Sequence, residues 1–151
     1  MTALTERGLE FSQLLVEVFR VNGLLLAAGD RLARPAELTS ARWQVLGVVD
    51  HEPATAAQVA RIMGLTRQSV QQTANALAKD RMIEFLDNPR DRRARLIALT
   101  DRGRTALRQV ELRQAAWANQ VADRLSVADL RAATGTLHDL GDLLAVPPPR
   151  N

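Results

Sequence analysis

Apolar side chains recur at helical spacing at both ends of this 151-residue chain. Near the N-terminus Phe11, Leu14, Val18, Val21 and Leu25 follow one another at intervals of three and four, and Leu15, Phe19 and Leu26 widen the stripe. The spacing predicts a helix from about Thr5 to Ala28 with one continuous apolar face. A matching seam of Leu130, Ala133, Leu137, Leu140 and Leu144 runs near the C-terminus. Ser126 and Asp129 open it as a capping signal, and Pro147, Pro148 and Pro149 close it. Two such seams could pack on each other within one chain or against a second copy.

Between the seams the pattern breaks into shorter elements. Thr39 or Ser40 caps a helix carrying Trp43, Leu46 and Val49, which Pro53 stops. Thr55 and Gln58 form a T-x-x-Q box for a helix with Val59, Ala60, Ile62 and Met63. Gly64 closes that helix, and Leu65 and Thr66 lead into the next, which runs to about Lys79. This is the layout of a helix-turn-helix: small Ala60 at the crossing, and Gly64 four residues on, where the turn wants a positive φ. Val59, Met63, Leu65 and Val70 supply its expected core, whereas Thr73 and Ala74 leave the second helix anchored chiefly by Val70 and Leu77.

Strand-like residues then bracket a charged stretch. Ile83, Phe85 and Leu86 precede Asp87–Arg95, and Leu96, Ile97 and Leu99 follow it, which reads as a β-hairpin with a long polar tip. Thr100 caps a last long helix from Asp101 to about Arg124, with Leu107, Val110 and Ala115 facing inward. The predicted fold is mainly α with a small β-hairpin wing: a winged helix-turn-helix domain flanked by N- and C-terminal dimerisation helices. Residues 1–151 form one domain in this reading, with the winged lobe at about 38–100 and dimerisation helices at about 5–28 and 101–146.

Charge adds what periodicity cannot. The whole-chain balance of +3 implies little about partners, but between Arg61 and Arg104 ten Lys/Arg stand against five Asp/Glu. The second helix of the pair offers Arg67, Gln68, Ser69, Gln71 and Gln72 on its outer face, with Asn75 one turn further along. Arginine suits the guanine edge and Gln or Asn the adenine edge, each presenting two hydrogen-bonding atoms. No carboxylate shares that face to repel phosphate. The wing contributes Arg90, Arg92, Arg93 and Arg95, suited to phosphates and to a narrow groove, with Asp91 among them as a carboxylate that can fix a guanidinium. A charge run can equally be a solvated hairpin, and Gln and Asn can simply solvate an exposed helix; the two features together favour double-stranded DNA.

Other chemistries find no footing. The chain has no cysteine, only two histidines (His51 and His138), no phosphate-binding glycine loop and no Ser/His/Asp arrangement. An enzyme, a metal sensor and a cofactor are therefore not expected. Aromatic residues are 3% of the chain, too few for single-strand stacking platforms. No stretch approaches 18 uninterrupted apolar residues, so no membrane partner is expected and the protein should be soluble and cytoplasmic.

At these residues the chain resembles the MarR family of bacterial transcriptional regulators. The run Leu38–Leu46 is similar to that family's second helix, Thr66–Val70 to the start of its recognition helix, and Asp87–Arg93 through Leu99–Gly103 to its wing and following helix start. The resemblance implies a homodimeric repressor on a pseudo-palindromic operator, with residues matching Asp91 and Arg93 paired at the wing and the arginine reaching the minor groove. It also implies release by a small aromatic or phenolic effector, often an anion of the salicylate kind, for which Trp43, Arg42, Arg20 and His51 are the candidate pocket residues; Trp43 reads as well as a core residue. One departure stands out, because Arg81 occupies a position where the family usually has glycine. A left-handed backbone there would cost a non-glycine residue on the order of 1 kcal/mol, unless the helix ends differently. The alternative function is a winged-helix protein-interaction module, which would want a hydrophobic recognition face and no arginine excess in the wing.

Overall fold

The structure, a computed structural model, describes residues 3–145. The proline run at 147–149 lies outside the described residues. The fold divides into two compact units, Met1–Arg113 and Gln114–Asn151.

The first unit opens with α1, Glu6–Ala33, capped by Thr5, whose side chain accepts the Gly8 N–H. The helix runs past Ala28 because Gly29 is a contact point and not a stop. A side chain there would collide with the Ser40 hydroxyl, which donates to the Leu26 carbonyl at 2.6 Å. Asp30, one residue on, accepts the Ser40 backbone N–H at 2.7 Å. Pro35 then turns the chain through a short 3-10 turn, Arg34–Ala36, which periodicity did not signal. By length and composition alone Glu6–Ala36 could cross a membrane. The Glu17–Arg20 ion pair lies near its middle, and a charged pair at that depth would be costly in lipid.

Thr39 caps α2 (Ser40–Val49). A two-residue strand, β1 (Ala54–Thr55), follows and runs straight into α3 (Ala56–Met63). The predicted capping box is present in both directions: the Gln58 N–H donates to Thr55 Oγ1, and the Thr55 N–H donates to Gln58 Oε1. Gly64 adopts φ 64°, and α4 (Arg67–Lys79) begins after Thr66, whose side chain accepts the Ser69 N–H. The hairpin strands β2 (Ile83–Leu86) and β3 (Leu96–Leu99) pair antiparallel, with Phe85 opposite Ile97. β1 adds to the other side of β3, so the sheet order is β1-β3-β2.

Leu46, Val59, Val70, Leu77, Ile97, Leu107 and Val110 are fully buried, which joins α2, α3, α4, the sheet and the start of α5 (Asp101–Ala122) in one core. Each such side chain contributes roughly 1.5–3 kcal/mol on burial. For α4 only Val70 and Leu77 are of that size, with Ala74 buried between them. Thr73 is half-buried, its hydroxyl donating to the Ser69 carbonyl. Two expected core positions are not core: Leu65 is 40% exposed, and Ala115 of α5 is exposed. In the turn after Gly64 the chain is still at the surface, and the buried stripe of α5 ends at Val110.

Arg81 keeps the left-handed conformation, φ 61°. Its N–H donates to the Ala78 carbonyl and the Met82 N–H to the Leu77 carbonyl, which closes α4 as a Schellman turn. The turn is locked from the far side. Thr100 Oγ1 donates to the Arg81 carbonyl at 2.7 Å, and the Thr100 N–H donates to the Met82 carbonyl at 3.2 Å. Gly103 sits directly against that Met82 carbonyl, where a Cβ atom would overlap it.

In the second unit, Ser126 caps α6 (Val127–Ala145) by accepting the Asp129 N–H at 3.0 Å. No residue of α6 is buried, and Leu130, Leu137 and Leu144 of its seam are exposed.

Two substitutions at the Met82 turn should move stability in opposite directions. Arg81→Gly relieves the left-handed strain and should stabilise the protein by about 1 kcal/mol. Gly103→Ala places a methyl on a backbone carbonyl and should destabilise it by about 3 kcal/mol, the upper range for overpacking. Chemical denaturation of both variants measures this, and a tolerated Gly103→Ala would mean that the junction can relax.

Candidate nucleic-acid interface

The candidate interface is built by α4 and the wing together. Thr66 starts α4 so that Arg67, Gln68, Ser69, Gln71 and Gln72 are all exposed, while Val70, Ala74 and Leu77 face the core. The Ser69 hydroxyl donates to the Thr66 carbonyl at 2.9 Å. Gln71 is also held, its Nε2 donating to Asn75 Oδ1 at 2.9 Å. Arg67, Gln68 and Gln72 have no side-chain hydrogen bond among the described residues.

The wing tip is folded by its own polar side chains. Asn88 Oδ1 accepts the Arg90 N–H at 3.1 Å and Asp91 Oδ1 accepts the Arg93 N–H at 2.9 Å. Backbone bonds from Asp91 to Asn88 and from Ala94 to Asp91 make two successive turns. The carboxylate of Asp91 therefore orders the loop backbone; the expected side-chain pair with the Arg93 guanidinium is not what the structure shows. The anchored guanidinium is that of Arg95. It donates to the Phe85 carbonyl at 3.1 Å and stands over the Phe85 ring, 5.2 Å from its centroid.

A cleft of about 550 Å³ lies between the two elements. Arg67, Gln71 and Asn75 line it from α4, and Asp91, Arg93 and Arg95 from the wing. Three guanidinium groups meet one carboxylate there, an arrangement suited to a polyanion. The start of α3, Thr55–Ala57, forms its floor; the capping box located that helix start, but nothing in the pattern said which way it would face. Arg90 belongs elsewhere, in a separate cleft of about 670 Å³ with His51, Glu52 and Arg61. Arg92 is exposed and lines neither cleft.

The four candidate effector residues do not come together. Trp43 lines an apolar hollow of about 430 Å³ with Leu25, Leu26 and Gly29 of α1 and Met63 of α3. Arg42, its neighbour in sequence, points to Asp80 and binds it at 2.7 Å. Arg20 is paired with Glu17, and His51 lies in the Arg90 cleft. Leu25 and Leu26 were hidden from sequence because the same positions belong to the apolar seam of α1.

This lobe is a winged helix-turn-helix domain. The sequence model of the MarR family matches residues 36–94. The chain is 38% identical over 128 residues to the uncharacterized protein Rv2011c of Mycobacterium tuberculosis, covering 85% of this chain and 90% of that one. It is 26% identical over 140 residues to the transcriptional activatory protein BadR of Rhodopseudomonas palustris, covering 88% and 77%. The fold is similar to that of CouR from Rhodococcus jostii bound to p-coumaroyl-CoA, with a TM-score of 0.74 at 23% identity over 82% of this chain and 88% of that one. It is also similar to the transcriptional regulator MosR of Mycobacterium tuberculosis in complex with DNA, with a TM-score of 0.74 at 21% identity over 87% and 98%. The chain belongs to the MarR family of DNA-binding transcriptional regulators, a class of regulators and not of enzymes.

The different settings of Arg93 and Arg95 separate affinity from fold. Arg93→Ala should lower affinity for duplex DNA about tenfold, a lost contact to a charged group, with an unchanged melting temperature without DNA. Arg95→Ala should lower both, because it also uncovers Phe85. Melting curves and fluorescence anisotropy decide; full DNA affinity in Arg93→Ala would remove that residue from the interface.

Proposed function

We propose that this chain regulates transcription as a homodimer bound to a pseudo-palindromic operator. The observation that carries the reading is the shared cleft, in which hydrogen-bonding side chains of α4 and arginines of the wing line one space. Arg67, Gln68, Ser69, Gln71 and Gln72 read bases. Arg90, Arg92, Arg93 and Arg95 hold the sugar-phosphate backbone, and Asp91 shapes the loop that presents them. A protein-interaction module would need an apolar recognition face, which α4 lacks. The sign of control follows from operator position; a dimer covering the promoter represses, and that is the sign we assign.

Dimerisation is supported by what a single chain leaves uncovered. Phe11, Phe19, Leu24 and Leu25 of α1, together with Leu130, Leu137, Leu143 and Leu144 of α6, are all exposed. On each of these helices, taken by itself, uncovered apolar side chains of this size mark an interaction face, and a regulator reading two half-sites needs a second copy.

Selection from random duplexes should return an inverted repeat with half-site centres about one helical turn, ~34 Å, apart. Affinity should fall linearly in log salt. A single half-site, or binding indifferent to salt, would overturn the dimeric DNA-binding reading.

A small aromatic effector fits the Trp43 hollow, and its lining says which kind. Asn22, Ser40 and Gln44 are its polar members, Ser40 already donates to Leu26, and no Lys, Arg or His lines it. An aromatic ring gains there, but a carboxylate would go in without a counter-charge. The effector is therefore an uncharged aromatic or phenolic molecule. In a Trp117→Phe background, salicylamide should quench Trp43 and release DNA at lower concentration than salicylate; the reverse order would show that a cation serves the site.

A further inference from the structure

Gln71 and Asn75 of α4 are joined side chain to side chain by a hydrogen bond. We infer that Asn75 is a positioning residue that makes Gln71 a reader of adenine and excludes guanine, an inference that rests on Gln71 facing the major groove. The two residues are four apart on α4, both exposed, and both line the cleft that the wing arginines complete. Gln71 Nε2 donates to Asn75 Oδ1 at 2.9 Å.

A primary amide carries two N–H donors and one acceptor oxygen. With both donors free, a glutamine can meet either purine. It can give one N–H to adenine N7 while accepting from adenine N6, or it can turn both donors toward guanine N7 and O6. Spending one N–H on Asn75 removes the second option. One donor and Oε1 remain, the pair that the acceptor–donor edge of adenine requires. Against guanine the same edge sets Oε1 against O6, two acceptors with no proton between them. Asn75 also holds the Gln71 side chain before DNA arrives, so less freedom is lost on binding. Among the exposed base-reading candidates of α4, Gln71 is the one held by another side chain of the helix. Gln68 and Gln72 keep both donors, so guanine in the operator is left to them and to Arg67.

The roles of the two residues separate by substitution in the full-length protein. The probes are the selected operator duplex and the same duplex with single A·T to G·C changes across each half-site. Gln71→Ala should flatten the adenine preference at one base pair. Asn75→Ala should lower the adenine-to-guanine ratio at that same pair about five- to tenfold, within the range of one bidentate contact. In the Gln71→Ala background it should change nothing further. Asn75→Asp keeps the acceptor oxygen and should keep the ratio, while its negative charge weakens binding to every duplex alike. A purely structural role for Asn75 would not produce that rescue. If Gln71→Ala leaves every base preference intact, Gln71 reads no base and the inference falls with that reading. If Gln71→Ala acts but Asn75→Ala leaves the ratio unchanged, the positioning role alone is overturned. A loss of preference at a different base pair in Asn75→Ala would show that Asn75 contacts DNA itself, which also overturns it.

Discussion

The turn at Arg81 and Met82 is the constraint on which the rest of the lobe depends. Within it the recognition helix must end, the chain must reverse into the wing, and α5 must start against the reversal. Thr100 serves all three elements. Its hydroxyl donates to the Arg81 carbonyl and accepts the Gly103 N–H, while its own N–H donates to the Met82 carbonyl. That set of bonds can form because Gly103 has no side chain to hold α5 off the Met82 carbonyl. The left-handed residue is tolerated as arginine because its carbonyl is fixed from across the turn, so the surroundings hold a backbone that the side chain does not favour. Recognition helix, wing and α5 are thus aimed from a single joint.

The acidic residues are arranged so that the small net charge hides a one-sided field. Asp80 is taken up by Arg42 at 2.7 Å, and Asp50, at the end of α2, is gripped by Arg104 and Arg108 of α5. Arg108 also binds Glu111; that bond, and then Asp50, holds its pKa above the ordinary arginine value. The arginines of these pairs keep contact with water, which screens the attraction, so the pairs orient helices more than they hold them. The carboxylates are used away from the recognition cleft, where three arginines face one aspartate. A balance of +3 over the whole chain therefore understates what a phosphate meets.

Much of this was legible in the sequence, because caps and glycine turns are local. Thr39, Thr55 with Gln58, Gly64, Thr66 and Ser126 each do what their neighbours in the chain imply. The strand β1 was not legible. Ala54 and Thr55 are too few to show alternation, and their pairing with Leu96 and Ile97 is set by residues forty positions away. Spacing along a helix also fails to say what a neighbour in space will be. Arg20 and Arg42 flank the Trp43 hollow in sequence terms, yet each is turned aside by a carboxylate, Glu17 in one case and Asp80 in the other. The wing showed the same limit. Its charges were plain, but the aromatic platform that fixes Arg95 rests on a strand residue, Phe85, whose spacing spoke only of burial.

Thr55 belongs to two elements at once. It pairs with Leu96 as the last residue of β1, and it caps α3 through bonds in both directions with Gln58. The hairpin and the first helix of the helix-turn-helix therefore meet in one residue, with no slack of linker between them. A tilt of the wing, whether imposed by a bent duplex or by a crowded neighbour, is passed into the axis of α3. The lobe would meet curved DNA as one rigid tool, leaving the double helix to do the bending.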